Sequence, residues 1–125
     1  MEAVHKLGIE EARVFKTLVI ALNSGQLATA ILPVAKMLNL KQAAKALGAK
    51  KAGMADPALV ERVTGYVLGG VSPLGQKKRL QSVIDESARE LETIYVSAGR
   101  RGLEIELAPA VLAELLAAGF TGIAQ

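Results

Sequence analysis

The sequence contains no cysteine and a single histidine, His5. Without cysteine the chain can form no disulfide, no cysteine nucleophile and no thiolate metal site. A catalytic triad or a zinc site would depend on His5, and such sites usually need further His or Cys residues. We expect His5 on the exposed side of a short helix over residues 2–7, and we expect no metal and no cofactor. Any chemistry must come from lysine, carboxylate, hydroxyl or backbone groups, or from the substrate.

No apolar run is as long as a membrane span, and the N-terminus lacks the basic and apolar regions of a secretory signal. The composition is that of an ordinary globular protein, with 51% hydrophobic and 22% charged residues. A length of 125 residues suits one domain with a substantial core. We therefore expect a single domain over residues 1–125, located in the cytoplasm.

Aromatic residues are few, with two Phe, two Tyr and no Trp, and the net charge is +3. The basic residues cluster in three places: Lys41, Lys45, Lys50 and Lys51; Lys77, Lys78 and Arg79; Arg100 and Arg101. Such clusters suit a phosphate backbone, and the shortage of aromatics favours structured nucleic acid over stacked single strands. On charge alone, a solvated surface is the favoured interpretation.

The hydrophobic pattern predicts an α+β fold with a mixed or mostly antiparallel sheet. Residues 14–22 and 27–32 are typical of two strands, which the Asn23-Ser24-Gly25 turn would join into a hairpin. Three further strands are expected later in the chain, at residues 79–84, 93–97 and 103–107.

Three helices are expected between these strands and after them. The first begins at Leu40 and carries lysines along one side. The second follows Asp56-Pro57, an N-cap residue and a proline suited to the first helical position. The third runs from Pro109 to Gly119 and is apolar nearly all round, which predicts that it packs in the core.

Lys16 lies in the first predicted strand, where both faces are otherwise apolar. A strand covered on both faces would either desolvate this lysine or direct it into a polar pocket. The alternative is a lysine on an edge strand, with its stem packed and its ammonium in water. The pattern leaves both interpretations open.

Residues 64–75 hold four of the 12 glycines and one of the four prolines. Glycine lets the main chain approach a ligand closely, and Pro73 restricts the conformation of Ser72. We expect a wall of small side chains that offers amides and one hydroxyl. The spacing of Gly70 and Gly75 matches a phosphate-binding loop, but no Ser or Thr follows Lys77, so nucleotide hydrolysis is excluded.

Residues 97–102 follow a predicted strand and form a glycine-rich turn with two arginines. Glu104 and Glu106 would then point to one face of the next strand. An ordinary turn with solvated charges, and carboxylates engaged only in ion pairs, is the competing interpretation.

Five segments resemble, in this order, the YbaK/ProX family of aminoacyl-tRNA deacylases, and above all the branch that removes cysteine from proline tRNA. They are VFKTLVIAL, LNLKQAAKALGAKKAGMADP, TGYVLGGVSPLGQKKRL, VIDES and IYVSAGRRGLEIEL. The resemblance implies a single editing domain of the type associated with prolyl-tRNA synthetase, with a barrel-like sheet flanked by helices. Members usually carry a few dozen residues before the point where Met1 aligns, and we expect this chain to lack that segment.

The resemblance also implies site residues. Lys16, Gly69 and Gly70 would be catalytic, and Thr17, Ser72, Ser97 and Glu104 would bind substrate, with Glu104 at a position where close relatives have aspartate. The residues expected to hold tRNA are Lys45, Lys50, Lys77, Lys78, Arg100 and Arg101.

The family's chemistry needs no protein nucleophile. The thiol of a cysteinyl ester would attack its own carbonyl and leave as a thiolactone, helped by proximity. Lys16 would neutralise charge or bind the terminal ribose and phosphate, and amides near Gly69 and Gly70 would stabilise the carbonyl oxygen. Misacylated tRNA(Pro) and prolyl-tRNA synthetase are the implied partners. The alternative is a non-catalytic module that binds tRNA or the synthetase through an incomplete pocket.

Overall fold

The computed structural model describes residues 11–67, 69–100 and 102–125. The helix expected over residues 2–7, with His5, and the candidate Arg101 lie outside these ranges. The strands are β1 (Phe15–Leu22), β2 (Leu27–Pro33), β3 (Ala52–Met54), β4 (Gln81–Asp85), β5 (Ile94–Arg100), β6 (Leu103–Leu107) and β7 (Gly119–Thr121). The α-helices are α1 (Leu40–Ala46), α2 (Pro57–Thr64) and α3 (Pro109–Leu116), with short 3₁₀ helices at Glu11–Arg13 and Glu86–Glu90.

The larger sheet is mixed, with the strand order β3-β1-β2-β4-β7. β1 is antiparallel to β2 and β3, whereas the β2–β4 and β4–β7 pairs are parallel. β5 and β6 form a separate antiparallel hairpin, which a bridge between Val14 and Tyr95 joins to the start of β1. The predicted α+β fold with a mixed sheet is confirmed.

The β1–β2 hairpin forms where the sequence predicts it. Its turn uses Gly25 at φ 90°, a left-handed conformation that favours glycine. The side chain of Asn23 accepts the N–H groups of Lys50 at 3.0 Å and Lys51 at 3.3 Å. The turn is thereby tied to the chain that enters β3. The short strands β3 and β7 escaped prediction because three residues carry too little alternation to be recognised.

Side-chain N-caps begin both α1 and α2, and the cap of α2 is the one that the sequence predicts. Asn39 accepts the N–H of Gln42 at 3.1 Å before α1. Asp56 accepts the N–H of Leu59 at 3.3 Å, and Pro57 takes the first position of α2. Gly65 ends α2 at φ 85°, so the chain turns sharply into the glycine-rich segment.

The last helix packs against the core, as predicted, but not all round as its apolar sequence suggests. In α3, Pro109 and Leu112 are buried, but Val111 is 47% exposed and Leu115 54% exposed. The helix contacts the rest of the protein on one face only, although its sequence is apolar on several. It also ends earlier than predicted, at Leu116, where Ala117 forms a left-handed C-cap at φ 52° and the chain then enters β7.

β1 contributes to all three apolar clusters of the core. Ile20 packs with residues of β2 and α1, Phe15 packs on the side of α3, and Val19 packs on the side of α2. Contacts on both faces therefore determine where β1 lies. Among the helices described, none has the length and apolar character needed to cross a membrane.

Candidate functional site

A cavity of about 690 Å³ lies between β1, the glycine-rich segment and the β5–β6 hairpin. Its wall is largely apolar, with a few polar groups among the apolar side chains. This combination is typical of small-molecule sites, in which apolar surface supplies affinity and a few polar groups fix orientation. The polar and charged residues of the wall are Lys16, Thr17, Ser97, Arg100 and Glu104.

The cavity brings together residues that are far apart in the sequence but were all predicted as site residues. Lys16 and Thr17 come from β1, and Gly69 comes from the glycine-rich segment. Ser97, Arg100 and Glu104 come from the β5–β6 hairpin, where Ser97 lies opposite Glu104.

Lys16 and Thr17 lie where, within the described part of the chain, β1 is paired with a strand on only one side. β2 pairs with β1 from Phe15 to Ala21, whereas β3 reaches only Ile20 to Leu22. Lys16 is half-buried and lines the cavity at this open edge. It therefore both faces a pocket and lies at a strand edge, the two interpretations that the sequence left open. Thr17 is 8% exposed, and its hydroxyl has no hydrogen-bond partner in the described part of the chain.

The glycine-rich wall reaches the cavity through Gly69, at φ 90°, and Val71. Gly70 and Ser72 are not in the cavity lining. The N–H of Gly70 donates to the carbonyl of Val67 at 2.9 Å. Ser72 is buried, and its hydroxyl accepts the N–H of Leu74 at 3.2 Å. Both residues shape the wall from behind.

Close packing holds this wall against the turn of the β5–β6 hairpin. A Cβ added at Gly70 would lie 3.5 Å from the carbonyl oxygen of Gly99 and 3.6 Å from the Cα of Arg100. At these distances an added methyl group would make ordinary van der Waals contact, so the wall and the hairpin turn are separated by about the space of one methyl group. Gly69 and Arg100, which both line the cavity, therefore depend on one packed junction.

Tyr66 is the residue of this junction that the sequence analysis missed. Its hydroxyl donates to the carbonyl oxygen of Leu74 at 2.6 Å. Its ring covers Gly99, where an added Cβ would lie 2.8 Å from Cε1 of Tyr66. The signal available in the sequence was an aromatic residue inside an otherwise small-residue segment, which needs a surface to pack against.

A second junction ties the start of β1 to the same hairpin. Arg13 donates to the carbonyl of Thr93 at 3.2 Å, to its hydroxyl, and to the carboxylate of Glu106 at 3.1 Å. The Arg13 guanidinium also lies 5.2 Å from the centre of the Tyr95 ring. Glu106 makes an ion pair with Arg13, which is what the competing interpretation of the sequence expects. Glu104, on the same face of β6, lines the cavity instead.

The two carboxyl groups of β6 differ in their electrostatics. Burial raises the pKa of Glu104, because a partly desolvated carboxylate is costly. The hydrogen bond from Thr93 leads the effects that lower the pKa of Glu106, followed by Tyr95 and Arg13. Glu104 is therefore a carboxyl group that would gain from a cationic ligand.

The predicted tRNA-binding lysines lie outside the cavity lining. Lys45, Lys50, Lys77 and Lys78 are exposed, and Arg100 is exposed while also lining the cavity. Within residues 11–67, 69–100 and 102–125, no three His, Cys, Asp or Glu side chains are grouped so that they could hold a metal ion.

Comparisons with known proteins give consistent similarities. The family model described as "Aminoacyl-tRNA editing domain" matches residues 1–115. An Enterococcus faecalis protein named "Putative Cys-tRNA(Pro)/Cys-tRNA(Cys) deacylase EbsC" is 44% identical over 117 residues, which cover 94% of this chain and 71% of that protein. The Bacillus subtilis protein "Uncharacterized protein YwhH" is 27% identical over 113 residues, covering 90% of this chain and 71% of its own length.

Solved structures match the fold over nearly the whole chain. The structure titled "Crystal structure of hypothetical protein APE2540" has a TM-score of 0.90 at 28% identity, covering 99% of this chain and 82% of its own. A structure described as "a putative trans-editing enzyme for prolyl tRNA synthetase" also has a TM-score of 0.90, at 24% identity, covering 99% and 78%. At that identity the second likeness shows the fold alone.

Proposed function

Because the chain belongs to the aminoacyl-tRNA editing domain family, as its resemblance to the YbaK/ProX deacylases predicts, we propose that it is a trans-editing deacylase of misacylated tRNA(Pro). Cys-tRNA(Pro) is the substrate we favour. The observation that carries the proposal is the cavity that gathers Lys16, Gly69, Ser97 and Glu104 from three separate segments. The name of the Enterococcus faecalis relative points in the same direction.

The proposed reaction uses the substrate's own nucleophile. The cysteinyl sulfur attacks its own ester carbonyl carbon, a new S–C bond closes a four-membered thiolactone, and the C–O bond to the ribose breaks. The thiol proton ends on the ribose oxygen, so the products are the thiolactone and uncharged tRNA. This route gains from the proximity of thiol and carbonyl, and it suits a chain without cysteine.

The residues of the cavity would bind and orient this ester. The Lys16 ammonium would lie beside the terminal ribose and phosphate, where it offsets negative charge. The amide of Gly69 would donate to the carbonyl oxygen as charge develops on it, with Gly70 and Ser72 holding the wall in place. Thr17 and Ser97 would offer hydroxyls, and the Glu104 carboxylate would attract the substrate's α-ammonium.

The exposed basic residues would hold the acceptor stem. Phosphate contacts from Lys45, Lys50, Lys77, Lys78, Arg100 and Arg101 would supply salt-dependent affinity without reading bases. Prolyl-tRNA synthetase would supply the choice of tRNA. Both partners place the proposed activity in the cytoplasm, where charged tRNAs are used.

The test is deacylation of Cys-tRNA(Pro) and Ala-tRNA(Pro) by the wild type, Lys16→Ala and Lys36→Ala. We expect wild-type clearance of Cys-tRNA(Pro), and a loss of roughly 100-fold in kcat/KM for Lys16→Ala, the size seen when a charge-stabilising group is removed. Lys36 is exposed and outside the cavity lining, so its variant is the matched control and should match the wild type.

Other results would change the conclusion. Unchanged clearance by Lys16→Ala would remove Lys16 from the mechanism. Tight binding of tRNA or synthetase by the wild type, with no clearance of either substrate, would favour the non-catalytic module.

A further inference from the structure

The backbone N–H and C=O groups of the odd-numbered residues of β1 point to the edge of the strand where the cavity lies. The N–H of Asn23 donates to Lys51 at 3.0 Å, and the carbonyl of Val19 accepts from Ala55 at 3.2 Å, both on the β3 side. On the opposite side, the N–H of Leu22 donates to Gln26 at 2.8 Å, and the carbonyl of Val14 accepts from Val34 at 2.9 Å. Because backbone groups alternate along a strand, the N–H and C=O of Thr17 point away from β2.

Among the described strands, none pairs with Thr17 on that side. The β1–β3 pairing ends at Ile20, and the next contact along the same edge is the bridge between Val14 and Tyr95. Between these points, no strand of the described residues pairs with the edge. Five consecutive β1 residues, 15–19, line the cavity. Consecutive residues have side chains on opposite faces, so together they line a space that lies along the strand edge.

An unpaired edge inside a cavity is a binding surface. Buried backbone N–H and C=O groups are nearly always paired, and an extended ligand can pair with such an edge as an added strand would. The Thr17 hydroxyl, a buried polar group without a hydrogen-bond partner among the described residues, lies at the same point of this edge.

We infer that the α-amino acid part of the substrate binds this edge as a one-residue strand, by two hydrogen bonds to the main chain of Thr17. The α-ammonium donates to the C=O of Thr17, and the ester carbonyl accepts its N–H. This pairing is that of two directly opposed residues in an antiparallel ladder. The inference rests on the proposed function and defines how its substrate is recognised.

The arrangement supplies a donor that the glycine-rich wall lacks. Two glycine amides were expected to stabilise the carbonyl oxygen, but the Gly70 amide is bonded to Val67. The N–H of Thr17 replaces it, opposite Gly69. Main-chain pairing recognises the α-amine and the carbonyl of any L-aminoacyl group. Discrimination between the side chains of different aminoacyl groups therefore depends on the apolar walls of the cavity.

Proline substitution tests the direction of the Thr17 amide. Proline removes an N–H and is tolerated in a strand only where that N–H is not part of a ladder. We expect Thr17→Pro to fold. Leu18→Pro is the matched control, because the Leu18 amide points to β2, opposite Ala30, and its loss should prevent folding. Failure of Thr17→Pro to fold as well would mean a paired Thr17 amide and would overturn the inference.

Binding then separates the amide from the hydroxyl. The probe is 3′-(L-alanylamino)-3′-deoxyadenosine, a stable amide analogue, titrated into ¹⁵N-labelled protein. Thr17→Val lacks only the hydroxyl, whereas Thr17→Pro also lacks the N–H. We expect Thr17→Pro to bind roughly tenfold more weakly than Thr17→Val, the scale of one hydrogen bond, and we expect the wild-type Thr17 amide to shift on binding.

Equal affinities of the two variants, or an unmoved Thr17 amide in the bound wild type, would overturn the inference while leaving deacylation intact. A wild type that neither binds the analogue nor clears Cys-tRNA(Pro) would instead remove the proposed function. The two failures are therefore distinguishable.

Discussion

The two hairpins that enclose the cavity are built differently. In β2, every residue from Ala28 to Pro33 is buried, and the hairpin it forms with β1 lies within the larger sheet. In β6, no residue is fully buried, and the β5–β6 hairpin pairs with the rest through one bridge. The β1–β2 hairpin is therefore part of the core, whereas the β5–β6 hairpin, here called the arm, buries Ile94 and Val96 of β5 fully and leaves β6 lightly buried.

The largest expected difference is in the stability of two alanine variants, each of which replaces one isoleucine of one hairpin. Ile20 in β1 is fully buried, whereas Ile105 in β6 is 37% exposed. We expect Ile20→Ala to lower the free energy of unfolding by about 2–5 kcal/mol, and Ile105→Ala to lower it by less than about 1 kcal/mol. Urea denaturation measures both. Similar losses would mean that the arm is packed as tightly as the core.

The next effect concerns the junction at Tyr66. Gly99 has φ 101°, and a Cβ there would lie 2.8 Å from the Tyr66 ring, whereas Gly102 has φ 83° and no described atom within 4 Å. Replacing either glycine by alanine lowers the free energy of unfolding by about 1–2 kcal/mol, because alanine is strained in the left-handed conformation. We expect Gly99→Ala to cost about 1–3 kcal/mol more, because it adds overpacking.

A double-mutant cycle checks the cause of this extra cost. In a Tyr66→Ala background the ring is absent, so Gly99→Ala should cost no more than Gly102→Ala in thermal denaturation. An unchanged difference between the two glycine variants would show that the ring does not hold the hairpin turn.

The smallest effects come from two carboxylates, Asp85 at the end of β4 in the larger sheet and Glu106 in the arm. Burial opposes ionisation of Asp85, but hydrogen bonds from Ser87, Ile123 and Ala124 outweigh it and lower its pKa. The pKa of Glu106 is also lowered, first by Thr93. A lowered pKa in the folded state stabilises the protein above the unfolded-state pKa, and this stabilisation is lost as the pH falls through the folded-state value.

We expect Asp85→Asn to destabilise the protein by about 1–2 kcal/mol at neutral pH and to weaken the loss of stability in acid. Glu106→Gln should have a smaller effect in the same direction, because its ion pair is half-exposed. Unfolding curves between pH 7 and pH 3 measure both. A larger effect for Glu106→Gln would place the main acid-sensitive contact in the arm.

Local signals predicted those parts of the fold that depend on neighbouring residues. Asn23-Ser24-Gly25 predicted the first hairpin, and Asp56-Pro57 predicted the start of α2, since turns and caps involve groups only a few positions apart. The burial of α3 could not be predicted in this way. Its sequence is apolar on several faces, and only the position of the sheet decides which face is covered.

The same distinction between local signals and tertiary packing applies to the candidate site. Resemblance identified Lys16, Thr17 and Glu104, and the structure gathers them around one cavity. It did not separate Gly69, which lines that cavity, from Ser72, which lies behind it. A motif records which residues occur together, whereas their direction depends on hydrogen bonds within the folded loop.

The sequence by itself determined the chemistry that is available: no cysteine, one histidine, a lysine in a strand, and glycines where a wall was expected. Tertiary structure alone decided that the pairing with β3 stops at Ile20 and that no other described strand covers the next part of the β1 edge, beside a cavity. The reason is physical. Composition and turns depend on residues that are near in the chain, whereas an unpaired strand edge depends on how far distant segments extend when they pack together.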